Sequence, residues 1–214
     1  MAPSSLSLTT DCRPCPWAFC FHAHLNQTRR TIHLLCGAAS WFKKAVQQLL
    51  FDVDWSSTGT TDNRLPPLDA LVLDLPPGTG DVPLSLGQLV HVDGAVIVST
   101  PQDVALADVR KGIAMLRKLS VPITGLVLNL ASFVCSSCQT PHRLFGPTES
   151  FHEVASRLEI PVLGELPLVP GVSIGGDGGV PFALTDNAMT SGGQLWNDEM
   201  NKVAVRIHEQ ILLD

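Results

Sequence analysis

The sequence has little of three features that would each assign a chain to a broad class of protein. Lysine and arginine total 14 against 20 acidic residues, so a net charge of −6 argues against a nucleic-acid partner. No apolar run approaches the roughly 18 residues that a membrane span requires. Six scattered cysteines are too few for a secreted disulfide framework of this size, which favours a reducing compartment.

The composition predicts one packed domain that follows a different leader. Hydrophobic residues make up 45% of the 214 residues and charged residues 16%, a balance typical of a globular core. Residues 1–40 hold four of the six cysteines and a single acid, Asp11. An acid-poor start is typical of mitochondrial transit peptides, although cysteines are not. We therefore predict a poorly ordered or targeting leader over 1–40 and a domain over 41–214.

Apolar periodicity predicts alternating strands and helices from residue 41 onward. Short, nearly continuous apolar runs typical of buried strands occur at 69–75, 93–100, 123–130 and 162–168. Helical periodicity occurs at 41–53, 102–119, 148–159 and in a tail from Trp196 to Ile211. Strands that alternate with helices at this pace predict an α/β fold, a parallel sheet flanked by helices.

Asp74 ends the first of these predicted strands, and the loop Pro-Pro-Gly-Thr-Gly-Asp follows at 76–81. In an open parallel sheet, ligands bind beyond the carboxyl ends of the strands. An aspartate there can hold Mg²⁺ beside nucleotide phosphates, and the loop glycines allow backbone N–H groups to approach a phosphate. The alternative interpretation is an aspartate that caps a turn.

The phosphate-binding loop that such an aspartate needs is missing from the sequence. No G-x-x-x-x-G-K-S/T stretch occurs anywhere in the chain. The stretch "CGAASWFKK" supplies Gly37 and Lys43, but Phe42 stands where the second glycine belongs. The residues alone therefore predict only part of a nucleotide site.

Cys135 and Cys138 form a C-x-x-C pair just beyond a predicted strand, and four interpretations stay open. A thioredoxin-like redox pair usually opens a helix, whereas this segment continues as a loop. An internal zinc site would be completed by Cys12 and Cys15. The remaining two are structural cysteines and an iron–sulfur cluster to which each of two copies gives two thiolates. His142 is interpreted as a solvated loop histidine.

Four stretches resemble, in this order, the Mrp/NBP family of P-loop ATPases that carry iron–sulfur clusters. They are "LDALVLDLPPGTGDVPLSLGQ", "GAVIVSTPQDVALADVRKGIAMLRKLSVPITGLVLN", "FVCSSC" with "HRLFG", and "IPVLGELPLVPGV". The similarity runs from Lys44 to Leu184. Within the family, these stretches most resemble the mitochondrial member that serves respiratory complex I.

The resemblance implies that the chain is a cluster scaffold or carrier. Cys135 and Cys138 would ligate a [4Fe–4S] cluster shared across a homodimer, for delivery to apo iron–sulfur client proteins. The clients would belong to complex I assembly, and the location would be the mitochondrial matrix or, alternatively, the cytoplasm. The alternatives are an ATP-hydrolysing cluster carrier with a complete nucleotide site and a degenerate regulatory fragment.

The resemblance also implies a nucleotide side to the site, with ATP and Mg²⁺ as cofactors. Asp74 would be the acid linked to Mg²⁺, Gly78 the backbone contact to phosphate, and Asn129 the residue near adenine. Gln102 and Asp103 would lie near the nucleotide and the dimer face.

The chain departs from the family pattern upstream of Asp74. The family places a glycine-rich ATP loop and further strands there, but the 73 residues before Asp74 contain no such loop. We therefore expect incomplete N-terminal strands, an open sheet edge that residues before Trp41 cover loosely or not at all, and a carrier rather than an ATPase.

Overall fold

The computed structural model describes residues 19–23, 40–53, 70–76, 80–135, 137–185 and 190–211. The strands are β1 (Phe19–Ala23), β2 (Leu71–Leu75), β3 (Gly94–Ser99), β4 (Ile123–Val134), β5 (Pro141–His142) and β6 (Val162–Leu168). The helices are α1 (Ser40–Phe51), α2 (Asp81–Leu89), α3 (Asp103–Lys118), α4 (Glu149–Leu158), α5 (Pro170–Asp177) and α6 (Ser191–Ile211), with a 3₁₀ turn at Phe182–Leu184. None of the described helices has the length and apolarity that crossing a membrane requires.

The strands form one mainly parallel sheet, as the alternation of strands and helices predicts. Strand β4 pairs in parallel with β3 on one side and β6 on the other. Strand β1 pairs antiparallel with both β2 and β3, so β2 runs in the same direction as β3. The carboxyl ends of β2, β3, β4 and β6 therefore share one edge of the sheet, which we call the carboxyl edge.

Strand β1 differs from the expectation for the residues before Trp41. It lies inside the sheet, where Phe19 pairs with Leu75 on one side and Ile97 on the other, rather than along an open edge. An interior position gives both sides of its backbone hydrogen-bonding partners. The rest of the leader predicted over 1–40, except Ser40, falls outside the described residues, and that part stays a prediction.

Two apolar cores lie on opposite faces of the sheet because successive strand residues point to opposite sides. Ile97 and Leu126 pack on the face covered by α1 to α4, together with Leu106, Ile113, Leu116, Phe151 and Val154. Val96 and Val127 pack on the other face, against Phe182, Trp196 and Val203. The rings of Phe182 and Trp196 meet edge to face, with centroids 5.2 Å apart.

The predicted helices over 41–53, 102–119 and 148–159 are confirmed as α1, α3 and α4, and the tail helix as α6. Helix α2 was not expected, because its sequence "DVPLSLGQL" contains a proline and a glycine, which are poor helix formers. Pro83 falls in the first turn, where it removes no internal hydrogen bond. Leu86 is only 2% exposed, so packing against the core stabilises this helix.

Candidate functional site

The carboxyl edge brings together the predicted site residues that the structure describes. Asp74 lies near the end of β2, and Gln102 and Asp103 follow the end of β3. Asn129 lies in β4, and Cys135 follows its last residue. Gly78 lies outside the described residues, so its predicted phosphate contact stays a prediction.

Strand β4 is four residues longer than the predicted run 123–130, because the chain passes through a bulge and then resumes pairing. Leu130 has a φ of 58°, in the left-handed region that non-glycine residues rarely adopt. The Asn129 side-chain oxygen accepts a 2.9 Å hydrogen bond from the Leu130 N–H, which holds this turn of the backbone. Beyond the bulge, Phe133 pairs with Leu168 of β6. The bulge therefore aims the end of β4, with Cys135, beyond the sheet.

The two cysteines lie on a short hairpin, Phe133–His142, which we call the cysteine hairpin. Its arms pair Phe133 with His142 and Val134 with Pro141 in antiparallel register. The Cys135 N–H donates to the Thr140 carbonyl at 3.1 Å, which closes the loop. Cys135 is half-buried and Cys138 is exposed, and both are free thiols.

The environment of Cys138 favours the thiolate form. Hydrogen bonds from the Thr140 hydroxyl and the Thr140 backbone N–H are the main causes, followed by those from the His142 and Cys135 side chains. Together they lower the pKa of the Cys138 thiol from its ordinary 9.0 to about 6, against a small opposing effect of desolvation. The thiolate is both the nucleophilic form and the metal-ligating form of cysteine.

Sequence reasoning missed or misread the two donors around Cys138. His142 was expected to be a solvated loop histidine; it is exposed, but it lies in β5 and hydrogen-bonds the Cys138 side chain. Thr140 was not singled out at all. Nearness in the sequence could have identified both residues, because each lies within four residues of Cys138 in a loop that returns to pair with the strand before it.

Within the ranges that the structure describes, no group of three or more Cys, His, Asp or Glu side chains is arranged to hold a metal ion. The Cys135 and Cys138 side chains are in hydrogen-bonding contact, and two cysteine sulfurs are half of the ligand set that a tetrahedral zinc or a four-iron cluster takes. Cys12 and Cys15, the proposed partners of an internal zinc site, lie outside the described residues.

A polar network connects the cysteine hairpin to α4. Arg143, which follows β5, donates a 2.8 Å hydrogen bond to Glu149 in the first turn of α4. The pKa of Glu149 is lowered, first by its own backbone N–H at the helix start and then by Arg143. One turn later in α4, the His152 Nε2 atom lies 2.8 Å from the Glu165 Oε1 atom of β6. Because both contacts are exposed, they add little to the stability of the fold.

The described residues of the predicted nucleotide site, Asp74, Gln102, Asp103 and Asn129, lie at the carboxyl edge. Partial desolvation raises the pKa of Asp74, which is the direction that favours a protonated carboxyl over a metal-binding carboxylate. Thr100 donates a 3.3 Å hydrogen bond to the Gln102 side chain just before α3 begins. Asp103 lies exposed in the first turn of α3, where the helix dipole favours negative charge.

Comparisons with known proteins match the chain to iron–sulfur proteins. It is 43% identical over 141 residues to the Arabidopsis thaliana "Iron-sulfur protein required for NADH dehydrogenase, mitochondrial", covering 66% of this chain and 42% of that protein. It is 44% identical over 141 residues to the mouse "Iron-sulfur cluster transfer protein NUBPL", covering 66% and 41% respectively. The chain thus spans about two fifths of the length of these relatives.

Among solved structures, a nucleotide-binding protein of Archaeoglobus fulgidus in complex with ADP is 39% identical, with a TM-score of 0.44. The match covers 49% of this chain and 43% of that one. A family model described as "ParA: NUBPL iron-transfer P-loop NTPase" matches residues 35–206, well over half of the 214 residues. The chain therefore belongs to the ParA family of NUBPL-type iron-transfer P-loop NTPases.

Proposed function

We propose that this chain is an iron–sulfur cluster carrier that holds a [4Fe–4S] cluster between two copies of itself. Cys135 and Cys138 of each copy are the four ligands, and the cluster is cargo that is passed to apo iron–sulfur proteins. The family model and the names of the relatives support the carrier role.

The observation that carries the proposal is the placement of the two thiols. Cys135 and Cys138 are within hydrogen-bonding contact at the exposed end of the cysteine hairpin, beyond the carboxyl edge of the sheet. Structural cysteines are ordinarily buried among apolar side chains, whereas a carrier must present its ligands to an acceptor. Exposure and mutual contact together fit a cargo site better than a structural pair.

The second copy follows from ligand number. A four-iron cluster takes four thiolates, and the hairpin of one copy supplies two. With a two-fold axis through the cluster, each copy contributes Cys135 and Cys138, and the four ligands are complete. The two copies then meet through identical surfaces. A site shared in this way opens when the copies part, so release does not require the domain to unfold.

The clients and the location rest on the relatives alone. Two of them are named for NADH dehydrogenase and for cluster transfer, and the Arabidopsis protein is described as mitochondrial. We propose on this basis that the clients are subunits of respiratory complex I and that the chain acts in the mitochondrial matrix, with the cytoplasm as the alternative. ATP and Mg²⁺ belong to the proposal only as family cofactors, at Asp74, Gly78 and Asn129.

Anaerobic reconstitution with ferrous iron and sulfide tests the cluster directly. The chain should turn brown, sediment as a dimer and hold about four irons per dimer. Cys135→Ser or Cys138→Ser should lose both the colour and the cluster-linked dimer. Ser137→Ala, in the same loop, is the matched control and should load normally.

A double variant, Cys12→Ser with Cys15→Ser, separates the shared site from an internal one. Under the proposal it loads like the parent chain, because neither residue is a ligand. Full iron in either single variant of the hairpin, or loss of metal in the Cys12 and Cys15 double variant, would overturn the shared site.

A further inference from the structure

We infer that Gln139 is a positioning residue for the cluster, because its left-handed backbone closes the turn that carries Cys135 and Cys138. The inference rests on the proposed function, since it concerns how the same two ligands are held. Gln139 acts through its backbone in this scheme, and its side chain is not a ligand of iron.

Among the residues that the structure describes, four other than glycine have a backbone φ in the left-handed region, which such residues rarely adopt. Two of them, Ser120 (57°) and Glu159 (56°), lie at the ends of α3 and α4, where this conformation is an ordinary way to stop a helix. The other two, Leu130 (58°) and Gln139 (57°), lie on either side of Cys135. The backbone strain that no helix end explains is therefore concentrated next to the proposed ligands, and strained residues cluster at functional sites.

Gln139 and its neighbour Thr140 join the end of the turn to its beginning. The Gln139 N–H donates to the Cys135 carbonyl at 2.9 Å, and the Cys135 N–H donates to the Thr140 carbonyl at 3.1 Å. Both backbone polar groups of Cys135 are thus used to close the turn. The positive φ of Gln139 helps to reverse the chain, so that Val134 pairs with Pro141 immediately beyond the turn.

Closure of this turn determines how well the two sulfurs are placed to bind one cluster. Cys138 directly precedes Gln139, so a different φ at position 139 would redirect the chain between Cys138 and the second arm of the hairpin. A turn that is closed for only part of the time binds more weakly, in proportion to the closed fraction. A Cβ atom opposes the left-handed region, and glycine has none. The residue at position 139 therefore sets the closed fraction and, through it, the retention of the cluster.

Four variants that differ in their tolerance of a positive φ test this role. Gln139→Gly and Gln139→Asn accept the left-handed region readily, whereas the β-branched side chain of Gln139→Val strongly disfavours it. Ser120→Val is the matched control, because it places the same side chain at the same φ of 57°, but before β4 rather than beyond it. Each variant is loaded anaerobically with ferrous iron and sulfide, and the loaded dimer is then challenged with excess EDTA.

Visible absorbance should be lost about fivefold faster in Gln139→Val than in the parent chain, because β-branching opens the turn. Gln139→Gly and Gln139→Asn should lose it at the parent rate or more slowly, since both keep the backbone conformation without the glutamine side chain. Ser120→Val should lower the temperature of unfolding but should release the cluster at the parent rate.

Hydrogen exchange of the Cys135 amide in the metal-free chain reports closure of the turn without any cluster. This N–H donates to the Thr140 carbonyl, and residue 135 is the same in all four variants. Its exchange, measured by NMR, should be about fivefold faster in Gln139→Val and unchanged in Ser120→Val.

The pattern across the variants separates a positioning role from a merely structural one. Parent rates of release and exchange in Gln139→Val would overturn the inference. Faster release in Gln139→Gly would assign the effect to the glutamine side chain, and equally fast release in Ser120→Val would assign it to a general loss of stability; either result overturns the inference too. A parent chain that binds no iron would instead defeat the carrier proposal, and amide exchange would still decide whether residue 139 closes the turn.

Discussion

The ionisation of Cys138 in the metal-free chain gives a sharp test of the hairpin geometry. Four hydrogen bonds lower the pKa of this thiol to about 6, so the thiolate predominates at neutral pH. About nine-tenths of Cys138 is then thiolate at pH 7, against about one-hundredth for a thiol with a pKa of 9.0. The fraction of reactive sulfur is therefore about ninetyfold higher than in an unperturbed thiol.

The rate of alkylation rises much less than this fraction. A thiolate becomes less nucleophilic as its pKa falls, with a Brønsted coefficient of about 0.45, which over three pKa units is roughly a twentyfold loss. When both effects are combined, the alkylation rate of Cys138 at pH 7 should be about fourfold higher than that of an unperturbed thiol. The midpoint of the pH profile, rather than the rate at one pH, is the decisive quantity.

The assay is alkylation of the metal-free chain by iodoacetamide from pH 4 to pH 10, with the Cys138 peptide quantified by mass spectrometry. The background is Cys135→Ser, which prevents a disulfide and keeps a hydroxyl donor beside Cys138. The rate should rise through pH 6 and stay level above about pH 7, because a lowered pKa completes ionisation early. In denaturant, the thiol of the same peptide should titrate with its ordinary pKa of 9.0, and this measurement is the internal control.

Thr140→Val tests the main cause. The fall from 9.0 to about 6 is shared among four hydrogen bonds, of which the Thr140 hydroxyl makes the largest contribution. Its removal should raise the pKa midpoint by about one, with the backbone N–H left in place. A folded chain whose Cys138 titrates with the same midpoint as the denatured one would refute the hydrogen-bonded hairpin.

Two further predictions concern the fold and the nucleotide. Phe182→Ala should lower the free energy of unfolding by about 3–5 kcal/mol in urea titrations, because Phe182 is only 4% exposed. The control is Leu184→Ala, at an 80% exposed position, which should leave the free energy of unfolding nearly unchanged. Equal losses in both would contradict the assigned core. Isothermal titration with ATP–Mg²⁺ should show weak or no binding and no turnover, because the sequence lacks the lysine-bearing phosphate loop that neutralises the triphosphate. Micromolar affinity that disappears in Asp74→Ala would show a working nucleotide site.

The class of the fold and the cysteine pair follow from local patterns in the sequence. The runs at 69–75, 93–100 and 162–168 are apolar over nearly their whole length, and this pattern is typical of strands that are covered on both faces. The amphipathic periodicity of α3 and α4 likewise depends on residues three and four apart. Two cysteines three positions apart indicate a metal or redox site in many folds, so Cys135 and Cys138 could be identified from their spacing alone.

Other features depend on residues far apart in the chain, and these follow from the folded arrangement. Strand β1 lies between β2 and β3, over 45 residues later in the sequence, and no local pattern in five residues specifies those partners. Helix α2 forms against local propensity because the core buries Leu86. The bulge at Leu130 turns the end of β4 so that it pairs again with β6.

The chemistry of the site also depends partly on the sequence and partly on the folded arrangement. The sequence identifies Cys138 as a candidate ligand, but its ionisation depends on where the hydroxyl of Thr140 and the ring of His142 lie. Those positions follow from the antiparallel register that places His142 opposite Phe133, and this register is a property of the folded hairpin. Hydrogen bonds act over about 3 Å, so residue identity alone decides which groups are present and only the fold decides which of them meet.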